Sequence, residues 1–288
     1  MTDQRANKSF ILTLSCADRP GIVASVTTIL AGLGCNIAES AQFWDRATNR
    51  FFMRIAFEAA ASLGGDTVLA ALHRTIESFG MKVDLVDGNR CPKIVILVSK
   101  FDHCLQHLLY QIRVGWLKAE VAAIISNHED ARATAVSHGI PFHYLPVDKA
   151  NKAAQEREVM ALVEASGAEL VVLARYMQIL SNELSSALFG RVINIHHSFL
   201  PSFKGARPYH QAHERGVKLI GATAHYVTPD LDEGPIIEQE TCRVTHALSP
   251  DDLIAVGRDN ESRVLARAVK LHLEARVLMH GKKTIVFA

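Results

Sequence analysis

The chain has 288 residues, room for about two domains of ordinary size. Apolar residues make up 49% and charged residues 21%, so a sizeable core can be buried and a low-complexity or disordered chain is excluded. With 31 Lys and Arg against 30 Asp and Glu, a net charge of +1, neither a polybasic nucleic-acid arm nor an acidic tail organises the protein.

The first 88 residues predict strand, helix, strand, strand, helix, strand. Residues 9–15 are β-rich. Asp18 or Arg19 then leads into a helix with Pro20 in its first turn, where a missing N–H is harmless. Ile22, Val23, Val26, Ile29 and Leu30 repeat at helical spacing up to a stop near Gly32 and Gly34. Residues 36–44 and 50–58 are two strands around a polar turn, Gly64 to Phe79 is a second helix stopped by Gly80, and 81–86 is a last strand. This order predicts a ferredoxin-like βαββαβ sandwich. Residues 87–92 (DGNRCP) are polar with Gly and Pro, so the boundary is placed there: one domain over 1–88 and a larger one over 93–288.

The larger domain alternates strand and helix. Residues 93–99 (KIVILVS) form a continuous apolar run, as a strand buried on both faces requires, and 121–126 and 170–174 are similar. Helices are expected near 104–114, 129–138 and 151–166, a short strand over 191–195, and a hairpin from 221–227 and 235–244. Ser249, Pro250, Asp251 and Asp252 start a long helix expected to reach about Met279. The alternation predicts an α/β domain with a mostly parallel, Rossmann-like sheet.

No apolar run approaches the ~18 residues of a membrane span, and the polar start carries no secretory signal. The five cysteines are odd in number, scattered and without a CxxC pair, which predicts a reduced, cytoplasmic setting. No membrane or nucleic-acid partner is expected.

In a parallel α/β sheet, ligands sit outside the carboxyl ends of strands. Asn194 and His196 begin at such an end and share a face if the stretch is extended. An amide and an imidazole side by side can donate to one carbonyl oxygen, which suits a developing oxyanion. A turn-capping Asn and a satisfied half-buried His also account for the pair. Asp230, Leu231, Asp232, Glu233 and Gly234 make either an ordinary Asp-rich turn or a loop that aims a carboxylate into the same cleft as base or proton relay. The 14 histidines invite a metal reading. However, His196 and His197 are adjacent and should face opposite ways, while His103 and His107, four apart, lack a third ligand. No metal site or cofactor is expected. The loop after residues 93–99 has no Gly between Ser99 and Tyr110, which argues against tight phosphate binding there.

Asn194, Ile195 and His196 with Pro201, residues 173–181 (LARYMQILS), 221–227 (GATAHYV) and 232–237 (DEGPII) together resemble the folate-dependent formyltransferase family. Within it the chain is similar to the formyltetrahydrofolate deformylases. It reads NIHHSFLP rather than the NIHPSLLP type, residues 205–227 follow the deformylase pattern, and an ACT-like domain containing Asp18, Arg19, Pro20 and Gly21 comes first. The resemblance implies hydrolysis of 10-formyltetrahydrofolate to tetrahydrofolate and formate, supplying formate for purine synthesis and balancing one-carbon folate pools. It implies Asn194, His196 and Asp232 as catalytic residues. It also implies a pterin cleft of Tyr176, Met177, Gln178, Ile179 and Leu180 completed near Thr228 and Leu231, with His225 behind the reacting groups.

The ACT resemblance implies a glycine or methionine effector at Asp18, Arg19 and Gly21. Dimerisation by side-by-side sheet pairing stands beside it, in a homo-oligomer of two or four chains. Three rivals remain: a transferase to an amine such as glycinamide ribonucleotide, a non-catalytic amino-acid sensor, and a tRNA formyltransferase. The last is disfavoured by the lack of room for a further RNA-binding domain and by the near-neutral charge.

Overall fold

The computed structural model describes residues 7–200 and 208–288. Pro201 and residues 205–207 of the motifs above lie outside the described residues. Two compact units are present: the first holds residues 1–90 with Glu274–His280 and Ile285–Ala288, the second Cys91–Leu273 with Gly281–Thr284. The first unit therefore includes chain-terminal residues that the sequence reading assigned to the larger domain.

The first unit runs β1 (Lys8–Ala17), α1 (Ile22–Gly32), β2 (Asn36–Asp45), β3 (Arg50–Ala59), α2 (Gly65–Phe79) and β4 (Lys82–Asp87). Its antiparallel sheet has the order β2-β3-β1-β4, the expected ferredoxin-like arrangement. Alternation along β1 sends Phe10, Leu12, Leu14 and Cys16 inward, where they meet Ile22, Val26 and Leu30 of α1 and Val68 and Leu72 of α2. Each such side chain, fully buried, stabilises the fold by about 1.5–3 kcal/mol. The first helix starts at Ile22, not at Asp18 or Arg19: Gly21 caps it at φ 94°, a left-handed conformation that glycine adopts without steric cost, so Pro20 falls before the helix.

On β3, Arg54 alternates with core residues and is 3% exposed. Its guanidinium pairs with Glu39 at 3.0 Å and donates to the Glu274 carbonyl at 3.3 and 3.1 Å. Arg276 holds both oxygens of Glu39, at 2.9 and 3.0 Å.

The second unit runs β5 (Lys93–Val98), α3 (His103–Arg113), β6 (Glu120–Ser126), α4 (Arg132–Ser137), β7 (Phe142–Tyr144), α5 (Lys152–Ser166), β8 (Leu170–Leu173), α6 (Asn182–Ala187), β9 (Val192–His196), α7 (Pro208–Glu214), β10 (Leu219–Tyr226), β11 (Ile236–Arg243) and α8 (Pro250–Leu273). The seven-stranded sheet has the order β11-β10-β9-β8-β5-β6-β7. Strands β5 to β9 pair in parallel, and β10 and β11 add an antiparallel edge. The chain winds from β5 towards β6 and β7, then returns to place β8 on the other side of β5. This reversal opens a crevice beyond the carboxyl ends of β5 and β8. There the Ser99 hydroxyl donates to Asn127 Oδ1 at 2.7 Å and accepts from the Met177 N–H at 3.0 Å.

The long helix ends at Leu273, not near Met279. Ala275 takes φ 51°, and the chain continues as a hairpin of β12 (Val277–His280) and β13 (Lys283–Val286). The stop is physical: Lys270 and His272 sit where the helix dipole favours cations, and β-branched Val277 follows the break. The expected helix over 129–138 shortens to Arg132–Ser137, and β7, α6 and α7 are short elements that the periodicity did not announce. Among the described residues no helix is long and apolar enough to cross a membrane, and all five cysteines are free.

Candidate active site

A cavity of about 640 Å³ lies at the carboxyl ends of β8 and β9. Its apolar wall comes from the segment after β8. Tyr176, Met177, Gln178, Ile179, Leu180, Thr228 and Leu231 all line it. Met177, Ile179 and Leu231 are 53%, 59% and 56% exposed, so these three are open to the cavity, while Tyr176 and Leu180 also pack on the neighbouring core. Helix α5 pins its backbone. Gln155 donates to the Tyr176 hydroxyl at 2.8 Å, Glu156 accepts from the Ser181 N–H at 2.8 Å, and Lys152 donates to the Ile179 carbonyl at 2.6 Å. An apolar surface held this firmly loses little conformational freedom when a flat ligand settles on it.

Strand pairing assembles the polar groups. In the antiparallel β9–β10 register, Asn194 stands opposite His225 and His196 opposite Thr223. Asn194 Nδ2 lies 3.3 Å from His225 Nε2. His225 Nδ1 lies 2.9 Å from the Tyr226 carbonyl, which can only accept, so Nδ1 carries the proton. With its proton on Nδ1, His225 presents Nε2 to the Asn194 NH₂ and fixes which way that amide points.

Asp232 comes from the loop after β10. Its Oδ2 is 3.3 Å from His196 Nδ1 and its Oδ1 is 3.7 Å from His225 Nε2. The hydrogen bond from His196, the largest cause, holds its carboxyl well below the usual carboxylate range, against the opposing effect of burial. With Nδ1–H of His196 directed at Asp232, the buried Nε2 has no protein partner. Asn194, His196, His225 and Asp232 are thus brought together at one end of the cavity.

The loop is not extended at the acidic pair. Asp232 adopts φ 57°, which turns the chain, leaves Glu233 exposed and sends the Glu233 N–H to the Asp230 carbonyl at 3.3 Å. Asp232, not Glu233, meets the histidines, although by a left-handed turn rather than by strand alternation.

His197 corrects the sequence reading. β9 ends at His196, so alternation no longer governs the next residue. The two rings stack with centroids 5.0 Å apart and planes at 18°, and both line the cavity. Arg175 Nη1 donates to His197 Nδ1 at 2.8 Å. Burial, with the positive charge of Arg175, pushes His197 down to about 4. The unfolded chain therefore takes up a proton at this residue between pH ~6.5 and ~4 that the folded chain refuses. Stability contributed by neutral His197 is lost as pH falls through that window. Denaturation of the unaltered protein should show this loss between about pH 6.5 and pH 4, and His197→Gln should show a shallower one.

The sequence reading also missed Glu261 and its neighbours. Glu261 is 1% exposed on α8; it accepts from the Tyr209 hydroxyl at 2.5 Å, contacts His103 Nε2 at 2.8 Å and lies 3.4 Å from Arg175 Nε. Burial raises its carboxyl, but His103, Arg175 and Tyr209 more than offset this and hold it low. The available signal was an acid on the buried stripe of α8, between Gly257 and Val264. His103, Cys104 and Glu261 also form a group whose donor atoms could hold a metal. Burial pushes the Cys104 thiol far up, and the Arg175 guanidinium faces Glu261, so the group fits an ion-paired cluster better than a cation site. His107 instead contacts Gln111, so His103 and His107 do not share a ligand.

In the N-terminal unit, Arg19 donates to the Ser78 carbonyl and lies 4.2 Å from the centre of the Phe79 ring, at the end of α2. Asp18 and Gly21 stand at the entrance to α1, with the Asp18 N–H bonded to the Asn49 carbonyl at 2.9 Å.

Residues 92–269 match the formyl transferase family and residues 8–86 the ACT domain family. A formyltetrahydrofolate deformylase of Bacillus subtilis is 49% identical over 278 residues, 96% of this chain and 93% of the relative. The crystal structure of a formyltetrahydrofolate deformylase from Burkholderia mallei superposes with a TM-score of 0.93 at 50% identity, covering 98% of this chain and 100% of that one. A glycinamide ribonucleotide transformylase from Symbiobacterium toebii is more distant, with a TM-score of 0.65 and 30% identity over 71% of this chain and 98% of its own. An ACT-type unit, a formyl transferase unit and nearly full-length similarity to such relatives place the chain in the formyltetrahydrofolate deformylase family.

Proposed function

We propose that the protein hydrolyses 10-formyltetrahydrofolate to tetrahydrofolate and formate, with Asn194, His196 and Asp232 as its catalytic residues. The observation that carries this reading is the convergence of these three side chains, with His225, at one end of a cavity whose wall is exposed and apolar. The pterin would lie along Tyr176, Met177, Gln178, Ile179 and Leu180, with Thr228 and Leu231 closing over it.

Water adds to the formyl carbon, and charge builds on the formyl oxygen. Asn194, turned by His225, donates one N–H. His196 donates from Nε2 as an imidazolium, its Nδ1–H held by Asp232, which stabilises that positive charge. Asp232, ionised before the attack, accepts a hydrogen bond from the water and takes its proton as the C–O bond forms. It returns to the ionised form by passing that proton to the departing nitrogen at position 10 as the C–N bond breaks. No metal and no covalent enzyme intermediate enter this route.

The direct test is purified protein with 10-formyltetrahydrofolate and no acceptor, with formate measured. Formate release independent of added amines supports hydrolysis. Formyl transfer that requires glycinamide ribonucleotide would replace it with the transferase reading. Asn194→Ala should lower kcat by roughly 10²–10³ with little change in folate binding, as loss of one oxyanion donor does. An unchanged kcat would remove Asn194 from the mechanism.

For the N-terminal unit the proposal is regulation by a small amino acid, glycine or methionine, near Asp18, Arg19 and Gly21, within a homo-oligomer in the cytoplasm. Its support is the ACT match over residues 8–86. Because Arg19 is engaged by Ser78 and Phe79, backbone N–H groups at the start of α1 would be the carboxylate partners.

A further inference from the structure

The proposed reaction uses the apolar wall and Asn194, His196 and Asp232. The same cavity is also lined by His103, Arg175, His197, Tyr209 and Glu261, to which that mechanism gives no task. These residues are tightly organised. Arg175 adopts φ 64°, an unusual conformation for a residue with a side chain, and its carbonyl accepts from the Ser99 N–H at 3.3 Å. From there its Nε lies 3.4 Å from Glu261, which is also held by Tyr209 and His103.

A guanidinium only donates, so its 2.8 Å contact makes His197 Nδ1 the acceptor and leaves the ring proton on Nε2. The His197 ring, held in this state, lies flat against His196.

We infer that Arg175 and His197 are positioning residues: Arg175, anchored on Glu261, holds His197 as a neutral plate that fixes the His196 ring between Asp232 and the reacting group. The inference rests on the hydrolytic reading for its kinetic arm; the state of His197 belongs to the free protein.

The charges explain why neutrality matters. His197 faces Arg175 from the segment after β8, His196 from β9, Tyr209 from α7, Glu261 from α8 and Asp232 from the loop after β10. Both carboxylates are already engaged, Glu261 by Arg175, His103 and Tyr209, and Asp232 by His196. A proton on His197 would meet Arg175 on one side and oppose a proton on His196 on the other. Blocking Nδ1 reserves the imidazolium charge for His196.

The test is a ring-proton NMR titration of the full chain, with steady-state kinetics of Arg175→Met and Arg175→Lys. His197, identified by its loss in His197→Phe, should stay neutral in the unaltered protein until pH approaches about 4. In Arg175→Met its titration should move up from about 4, while burial still holds it below the ordinary ~6.5. There kcat should fall roughly 10–100-fold with KM changed less than about threefold, the size expected when a reacting group is slightly misplaced. An acid limb should also appear near the new His197 titration. Arg175→Lys keeps a cationic donor and should restore part of kcat and move the limb back.

Titration of His197 near ~6.5 in the unaltered protein overturns the inference. So does an Arg175→Met variant whose kcat falls with neither titration nor limb moved, since that is a purely structural loss. If Arg175→Met does not fold, His197→Phe should retain at least about tenfold more kcat than His197→Ala, because the flat ring remains; equal loss in both overturns the plate. Failure of the hydrolytic reading is separate: it shows as no formate from the unaltered protein, while the titration still decides the Arg175–His197 pairing.

Discussion

Asp232→Asn lowers kcat by at least ~10² and up to ~10⁴, the range for a positioned proton-transfer group. Asparagine is nearly the same size and tolerates the left-handed φ of 57° at this position, so the loop keeps its shape and folate binding falls less than turnover. What disappears is the negative charge 3.3 Å from His196 Nδ1 and 3.7 Å from His225 Nε2. The imidazolium form of His196 loses its counter-charge. The asparagine amide can also turn its NH₂ towards a histidine that needs an acceptor. Glu233 cannot substitute, because the turn at Asp232 leaves it exposed, and Glu233→Gln should cost little. The measurement is kcat and KM for both variants against formate release. A crippling Glu233→Gln beside a near-normal Asp232→Asn would show that the wrong carboxylate was assigned.

Gly234→Ala should remove most activity without touching a reacting group. A Cβ at this position would stand 1.7 Å from the Tyr226 carbonyl oxygen, 2.9 Å from its carbon and 3.3 Å from His225 Nδ1. Two of these atoms are backbone in the strand that carries His225, so no side-chain end can swing aside. The loop must retreat. That breaks the Tyr226 N–H bond to the Pro235 carbonyl and disturbs the His225 Nδ1 contact with the Tyr226 carbonyl, both 2.9 Å long. His225 then no longer orients Asn194, and Asp232, two residues away, shifts from His196. Displacement of about 1 Å at reacting groups costs on the order of 10² in rate. Overpacking with lost buried hydrogen bonds should destabilise the fold by roughly 2–4 kcal/mol. Denaturant unfolding and kcat measured together check this. A folded Gly234→Ala protein of normal stability and turnover would mean that the backbone approach at Gly234 does not hold the site.

Much of the architecture was legible because it depends on local rules. The run KIVILV could only be a strand buried on both faces, and it lies near the middle of the seven-stranded sheet. The alternation of Phe10, Leu12, Leu14 and Cys16 sets one face of β1 against two helices. Errors arose where a local rule ended sooner than its pattern suggested. Apolar and helix-forming residues carried the reading of the last helix to Met279, but Ala275 turns the chain and Arg276 pairs with Glu39 from a distant strand. Period-two alternation set His197 away from His196, but the strand stops at His196 and the next ring folds onto it.

The amino-acid sequence alone determined the two-part α/β organisation and the family resemblance. Hydrophobic period and turn residues, properties of neighbouring residues, made Asn194, His196 and Asp232 candidates, and the family resemblance singled them out as the catalytic set. Only the tertiary structure decided what those residues meet. The β9–β10 register sets His225 against Asn194, and a left-handed turn brings Asp232 rather than Glu233 to the histidines. Helix α8 returns to place Glu261 under Arg175 and so under His197. Each of these contacts joins residues roughly 30 or more positions apart or depends on where an element stops. Chain closure over that distance is governed by packing and burial rather than by local propensity, which is why no reading of spacing could supply it.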